Sequence, residues 1–263
     1  MRMQYCSFVP KGARSPVLPG RIMGEIIERL NVPTIIDLIL SDGEADSSED
    51  FKIGDVRLVA PIQKPSKIVS VGLNYREHIK ELGHQYPMEP VIFSKPSSAI
   101  IGPGDRIIIP EASDQVDYEG EVAVIIGKEA HKVEGGARFI FGYTCINDIT
   151  ARDIQRRSQD WTRVKGFDTF APMGPTINTA KPACVKTYLN GNQAQKTSTD
   201  DMIFGFEELV ENISQVMTLL PGDVIATGTP VGVGKLSPGD KAVVEADGIG
   251  RLENPVASDE STD

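Results

Sequence analysis

Apolar residues fall in short runs closed by turn residues over most of this chain, and in one longer segment they recur at helical spacing. The helical segment is Glu207–Leu220. There Leu209, Val210, Ile213, Val216, Met217 and Leu220 share one face, Glu207, Glu208 and Glu211 suit the positive N-terminal end, and Pro221-Gly222 ends the element. Three of the short runs follow the same triplet, Pro-Gly-Asp, at 103–105, 221–223 and 238–240. Proline sets φ at the first central position of a type II turn and glycine supplies the positive φ of the second. Strands are therefore expected at Arg106–Ile109, Val224–Thr227 and Ala242–Ala246, and the unbroken apolar run Val122–Ile126 reads as a buried strand. Short helices are expected near residues 75–82 and 149–158.

The segment Ser41–Asp50, nearly all Ser, Gly, Asp and Glu, is expected to be an exposed loop. It lies close to a boundary between a small N-terminal unit at residues 1–60 and a main unit at 61–257, with a frayed acidic tail at 258–263. The elements do not alternate as strand and helix, so a strand-rich α+β fold is predicted, its mixed or mostly antiparallel sheet closed into a roll or sandwich.

Composition narrows the function. A chain of 263 residues, 40% of them hydrophobic, buries a sizeable core. A formal charge of −10 argues against nucleic acid as a partner, because binding phosphates takes clustered Lys and Arg. Three well-separated cysteines, Cys6, Cys145 and Cys184, indicate neither a disulfide framework nor a cysteine zinc site. No apolar run approaches the roughly 20 residues that cross a bilayer, and Met1–Pro10 does not read as an export signal. A soluble, cytoplasmic protein with no membrane partner is the expectation.

Candidate chemistry begins with Asp117-Tyr118-Glu119-Gly120-Glu121 at the entrance of the apolar run. Side chains two apart on a strand share a face, so Glu119 and Glu121 are within reach of one ion, and such a pair repels unless a cation or a proton intervenes. Two solvated carboxylates at an exposed strand entrance are the plainer alternative, although the intervening glycine permits close approach. Asp148 sits where a β-prone run meets a helix, either as an N-cap or as a third oxygen ligand. An all-carboxylate set selects a hard cation, Mg²⁺ with Mn²⁺ or Ca²⁺ as alternatives, over zinc. Arg152 and Gln155 follow at helical spacing and either address a substrate carboxylate or are solvated, and Lys165 precedes a glycine. His78 and Glu81, three apart, are neighbours on one helical face, as a surface pair or as a dyad that makes the imidazole a base.

Six motifs in order resemble the fumarylacetoacetate hydrolase family over most of residues 65–256. They are Val71-Gly72-Leu73-Asn74-Tyr75 with His78 and Glu81; Ser94-Lys95-Pro96; Asp117 to Glu121; Asn147 to Asp153; Lys165-Gly166-Phe167-Asp168; and Thr227 to Gly234. The resemblance implies Glu119, Glu121 and Asp148 as metal ligands, His78 and Glu81 as a dyad on a lid, and Lys165 as a lysine beside the metal. It also implies Arg152, Gln155 and Thr229 as substrate contacts. The implied fold is a mixed β-sandwich roll behind a small N-terminal domain, assembled as a homodimer. The compact spacing of His78 and Glu81 is typical of acylpyruvate hydrolases and their decarboxylase and isomerase relatives, including the hydroxyheptadienedioate isomerase branch of aromatic catabolism. The implied activity is Mg²⁺-dependent cleavage of a C–C bond in acylpyruvates through an enolate. Decarboxylation of an oxaloacetate-type acid, or isomerisation or tautomerisation, is the alternative, and a non-enzymatic binding role is disfavoured because all five ligand and dyad residues are present. Lys11–Glu28 matches no pattern within the family.

Overall fold

The three Pro-Gly-Asp triplets form the same turn, and each leads into a strand. In a computed structural model of the protein, which describes residues 3–12, 16–158 and 160–259, Gly104, Gly222 and Gly239 take φ of +81°, +85° and +92°. The aspartate N–H closes each turn onto the carbonyl three residues back, at 3.3, 2.9 and 3.0 Å. The aspartate carboxylate accepts in return from the N–H of that same residue, Gly102, Leu220 or Ser237, at 2.8, 2.7 and 2.7 Å. This second bond explains why aspartate recurs as the third residue. The strands that follow are Ile107–Ile109, Val224–Ala226 and Lys241–Ala246.

The run Val122–Ile126 lies within Gly120–Ile126, every residue of which is buried. It is central to a 12-stranded mixed sheet, between Ile140–Asn147 and Val224–Ala226. Its alternate side chains enter two cores. Val122, Val124 and Ile126 pack with Val185, Val244 and Leu252 of a second, five-stranded sheet and with the helix Phe206–Val216. Ala123 and Ile125 face a separate core with Ile68, Ile146 and Phe170. Burying a Val or Ile side chain is worth about 1.5–3 kcal/mol, so this strand offsets the cost of the carboxylates at its mouth. The strand-rich fold expected from the sequence is observed.

On the far side of Ile140–Asn147 the sheet continues through Ala171–Asn178 to Gln4–Pro10, Leu18–Met23, Ile26–Leu30 and Ser47–Lys52. The last of these corrects the loop expected at 41–50. Ser47–Lys52 pairs with Ile26–Leu30 although it is almost wholly exposed. An outermost strand needs no buried face, and its charges discourage further pairing. A helix at Ile35–Leu40, capped by Thr34, precedes it. The helix expected at Glu207–Leu220 is one turn shorter, Phe206–Val216, and Val216 is exposed. Leu219 instead exchanges both backbone hydrogen bonds with Ala130, which draws the chain out of the helix. The other α-helices among the described residues are Arg76–Leu82, Arg152–Arg157 and Trp161–Lys165. Ser258 ends the last strand, Gly250–Ser258, rather than beginning a tail, and residues 260–263 of the expected acidic tail lie outside the described residues. Among the described residues no helix is long and apolar enough to cross a membrane.

Candidate active site

Strand register builds the site. Gly120 lies opposite Asn147 and Glu121 opposite Ile146 in the antiparallel pair, so one further step brings Glu119 against Asp148. That step is sealed by two hydrogen bonds: the Glu119 N–H donates to Asn147 Oδ1 at 2.9 Å, and the Asp148 N–H donates to the Glu119 carbonyl at 2.8 Å. Glu121, two residues on, projects to the same side. Oxygens of Glu119, Glu121 and Asp148 lie within 4.8 Å of one another, and all three residues are buried. Gly120 is required for a close approach, since a Cβ there would collide with Thr187 Oγ1 of the second sheet. What approaches the glycine is a protein side chain, not ligand space. Asp148 is not a helix cap. A short strand, Thr150–Ala151, intervenes, and Ala151 caps the helix Arg152–Arg157.

Three cations hold the carboxylates. Lys165 Nζ bridges Glu119 Oε2 at 2.9 Å and Asp148 Oδ2 at 2.8 Å, while Lys95 Nζ donates to Asp148 Oδ1 at 2.6 Å. Arg152 reaches Asp117 at 3.0 Å and Glu119 at 2.5 Å. Burial raises the Glu119 carboxyl, but Lys165 and Arg152 outweigh it and hold the group at about 2. Burial pushes the Glu121 carboxyl well above the usual carboxylate range, and the charges of Asp148 and Glu119 add to the shift. Burial also lowers the Lys95 ammonium, against the pull of Asp148. Four acids, Asp117, Glu119, Glu121 and Asp148, face three bases, Lys95, Arg152 and Lys165, and four minus three leaves one acid uncompensated. It is Glu121, whose carboxylate, among the described residues, pairs with no cation and accepts from the Gly228 N–H at 2.8 Å. Three converging carboxylates with one charge in excess, and oxygen donors alone, fit a hard divalent cation.

Eight of the nine side chains singled out from the sequence line one cavity of about 580 Å³: His78, Glu81, Glu119, Asp148, Arg152, Gln155, Lys165 and Thr229. Glu121 lies beneath its surface, 1% exposed. On the helix Arg76–Leu82, His78 Nδ1 stands 3.3 Å from Glu81 Oε2. Gln155 Oε1 accepts from Arg152 Nη1 at 2.6 Å, which fixes the guanidinium. Thr229 Oγ1 donates to the Gly120 carbonyl at 3.1 Å and accepts from Gln195 at 2.9 Å, so its hydroxyl ties the glycine-rich loop to the strand.

Two functional groups escaped the sequence reading. Lys95 stood within the Ser94-Lys95-Pro96 motif without a role, because nothing local to that motif marks its side chain as buried. Its pairing opposite Ile68 turns it inward, where it is 2% exposed. Asp117 was visible only as the start of the acidic motif. It orients Arg152.

This fold, with three converging carboxylates at the end of its central strand, is that of a known class of enzymes, and the chain belongs to the fumarylacetoacetate hydrolase family. The family model for the fumarylacetoacetate (FAA) hydrolase C-terminal region matches residues 67–257. Among its relatives is the oxaloacetate tautomerase YisK of Bacillus subtilis, 43% identical over 225 residues, 78% of this chain and 75% of that protein. A 5-carboxymethyl-2-hydroxymuconate delta-isomerase from Mycobacterium smegmatis is 39% identical, with a TM-score of 0.85 over 98% of this chain and 100% of that one. A fumarylacetoacetate hydrolase from Exiguobacterium antarcticum is 35% identical, with a TM-score of 0.87 over 97% and 99%.

Proposed function

We propose that this protein is a Mg²⁺-dependent enzyme that forms the enolate of a small 2-oxo acid and reprotonates it, a keto–enol or double-bond isomerisation. The observation that carries this reading is the opening of the buried carboxylate cluster into the same cavity as an imidazole whose Nδ1 is already engaged. Glu119, Glu121 and Asp148 would hold the cation, and a divalent ion bound there supplies Lewis acidity toward the 2-oxo oxygen. Lys165 and Lys95 fix the carboxylates that receive it, and Arg152, clamped by Asp117 and Gln155, adds positive charge beside the substrate. With Nδ1–H donating to Glu81, His78 would present Nε2 to the proton on C3; the proton it takes is then delivered to a different atom, the 2-oxo oxygen in keto–enol exchange or a more distant carbon of the conjugated enolate in double-bond migration. The tautomerase and isomerase relatives support this assignment.

A second reading, C–C hydrolysis of an acylpyruvate, is favoured by the same dyad. An Nε2 that accepts a proton from carbon can accept one from water, and the Exiguobacterium relative bears the hydrolase name. One experiment separates the two. Enol-to-keto conversion of oxaloacetate, its decarboxylation and cleavage of an acylpyruvate are followed in parallel, with Mg²⁺ and after chelation. Metal-dependent tautomerisation exceeding cleavage is expected. Cleavage dominating would install the hydrolase reading, and turnover unaffected by chelation would remove the metal from both.

A further inference from the structure

The cavity, about 580 Å³, is larger than a three- or four-carbon acid fills, and part of its lining beyond the carboxylates is apolar. Cavities of a few hundred Å³ typically enclose most of a considerably larger ligand. The helix Trp161–Lys165 sets the direction. Lys165, at its end, holds Glu119 and Asp148, and Trp161, four residues earlier, lies one turn back on the same face. Phe93 joins the two, its ring centroid 5.2 Å from Lys165 Nζ and 4.7 Å from the Trp161 ring. Gly72 seats the indole, for a Cβ there would press on it at 3.3 Å. Leu73, next to Gly72 in the chain, and Val233 also line the cavity.

Leu73 bears a conformational cost for its place. Its φ of +56° is left-handed, a region that leucine enters at a penalty of roughly 1–2 kcal/mol. The neighbouring residue enforces it: the Asn74 amide donates to the Phe204 and Thr227 carbonyls at 3.0 and 2.8 Å and accepts from the Phe204 N–H at 2.9 Å. A strained backbone that turns an apolar side chain into the cavity points to a ligand contact.

The cations facing the cavity are committed. Lys165 serves Glu119 and Asp148, and Arg152 serves Asp117, Glu119 and Gln155. A carboxylate at the far end of a substrate would meet Leu73, Phe93 and Trp161; beside the His78 imidazole paired with Glu81, the other basic group among the described lining residues is the His84 imidazole.

We infer that Leu73, Phe93 and Trp161 form a specificity wall for an uncharged, apolar or aromatic substituent carried by the 2-oxo acid. The inference rests on the proposed function for the identity of the acid head, and beyond it names the tail. The test is calorimetric titration of the Mg²⁺-loaded protein with oxalate, pyruvate, phenylpyruvate, 2-oxohexanoate and 2-oxoglutarate. Phenylpyruvate and 2-oxohexanoate are expected to bind about tenfold or more tighter than pyruvate and 2-oxoglutarate, since even one methylene in an apolar pocket is worth about tenfold. Trp161→Ala is expected to lower the ratio of phenylpyruvate to oxalate affinity by about tenfold. Leu73→Gly, which relieves the φ strain and so keeps the fold, is expected to lower it as well. Oxalate bound with 2-oxoglutarate equal to or tighter than phenylpyruvate, or a ratio unmoved by both variants, overturns the apolar wall alone. No oxalate binding in the unaltered protein overturns the 2-oxo acid reading and the wall with it.

Discussion

The floor of the cavity and the helix that carries His78 are built in opposite ways. On the floor, Glu119, Glu121 and Asp148 are buried and fixed by strand register; short ion pairs tie Glu119 and Asp148 to Lys95, Lys165 and Arg152, and the Gly228 N–H holds Glu121. The helix Arg76–Leu82 has seven residues and no side-chain N-cap, and among its described side chains Ile79 is the one fully buried. Its dyad is uneven, with His78 14% exposed at the side chain and Glu81 50%. A helix this short has little stability of its own and depends on what it packs against. The floor is therefore preorganised for charge, whereas His78, the base of the proposed mechanism, rides on an element with more room to adjust.

Asp148→Asn should show the floor at its most brittle. Lys95, fully buried at its side chain, would lose its anionic partner, and stripping one member from a buried ion pair costs about 3–5 kcal/mol. Urea denaturation should register that loss, and titration calorimetry should find neither Mg²⁺ binding nor turnover. Full activity in this variant would sink the assignment of the floor. His78→Ala, on the helix, should divide the properties differently. Turnover is expected to fall by about 10²–10⁴-fold, the usual worth of a general base, while Mg²⁺ affinity stays and stability moves by less than about 1 kcal/mol. Loss of Mg²⁺ binding in that variant would show that floor and helix are not separate.

Glu121→Gln sharpens the contrast through pH. The Glu121 carboxyl is raised in the folded, metal-free protein, so it contributes stability that is fully present below its unfolded value and is lost as pH rises through the folded one. Glu119, held at about 2, has the opposite sign: its contribution is present above the unfolded value and is lost as pH falls toward 2. Metal-free protein should therefore weaken from mildly acidic to alkaline buffer, and Glu121→Gln, which keeps an acceptor for the Gly228 N–H, should remove that slope. Mg²⁺ should raise the melting temperature of the unaltered protein more at high pH than at low pH and should leave the variant unmoved. Parallel melting curves for the two proteins in chelator would contradict the charge count at the floor.

How far the site was legible in the sequence follows the same division. Period two alone places Glu119 and Glu121 on one side, because that rule needs only the strand. Asp148 was undecided between cap and ligand until a neighbouring strand set its register, a long-range fact that local spacing does not carry. Lys95 was passed over for the same reason, and so was the edge strand Ser47–Lys52, whose exposed side chains lack the apolar alternation that marks a strand. The pairing of His78 with Glu81 is legible because it is local to one helical turn. The strain at Leu73 is invisible in composition, since it is imposed by Asn74 holding backbone groups of two distant segments.

The smallest effect is expected from Glu81→Gln, and it asks most directly whether the helix is as exposed in the working enzyme as it is here. The amide keeps an oxygen for the Nδ1–H of His78, so orientation survives and only the charge is removed. With half of the Glu81 side chain in solvent, that charge is screened, and exposed pairs contribute about 0–1 kcal/mol. A fall in kcat of no more than about fivefold is therefore expected, narrowing further as salt is added to the unaltered protein. A loss as large as that of His78→Ala, insensitive to salt, would mean that substrate draws the helix down and buries the pair. In that case the contrast between a fixed floor and an adjustable helix holds only before the substrate arrives.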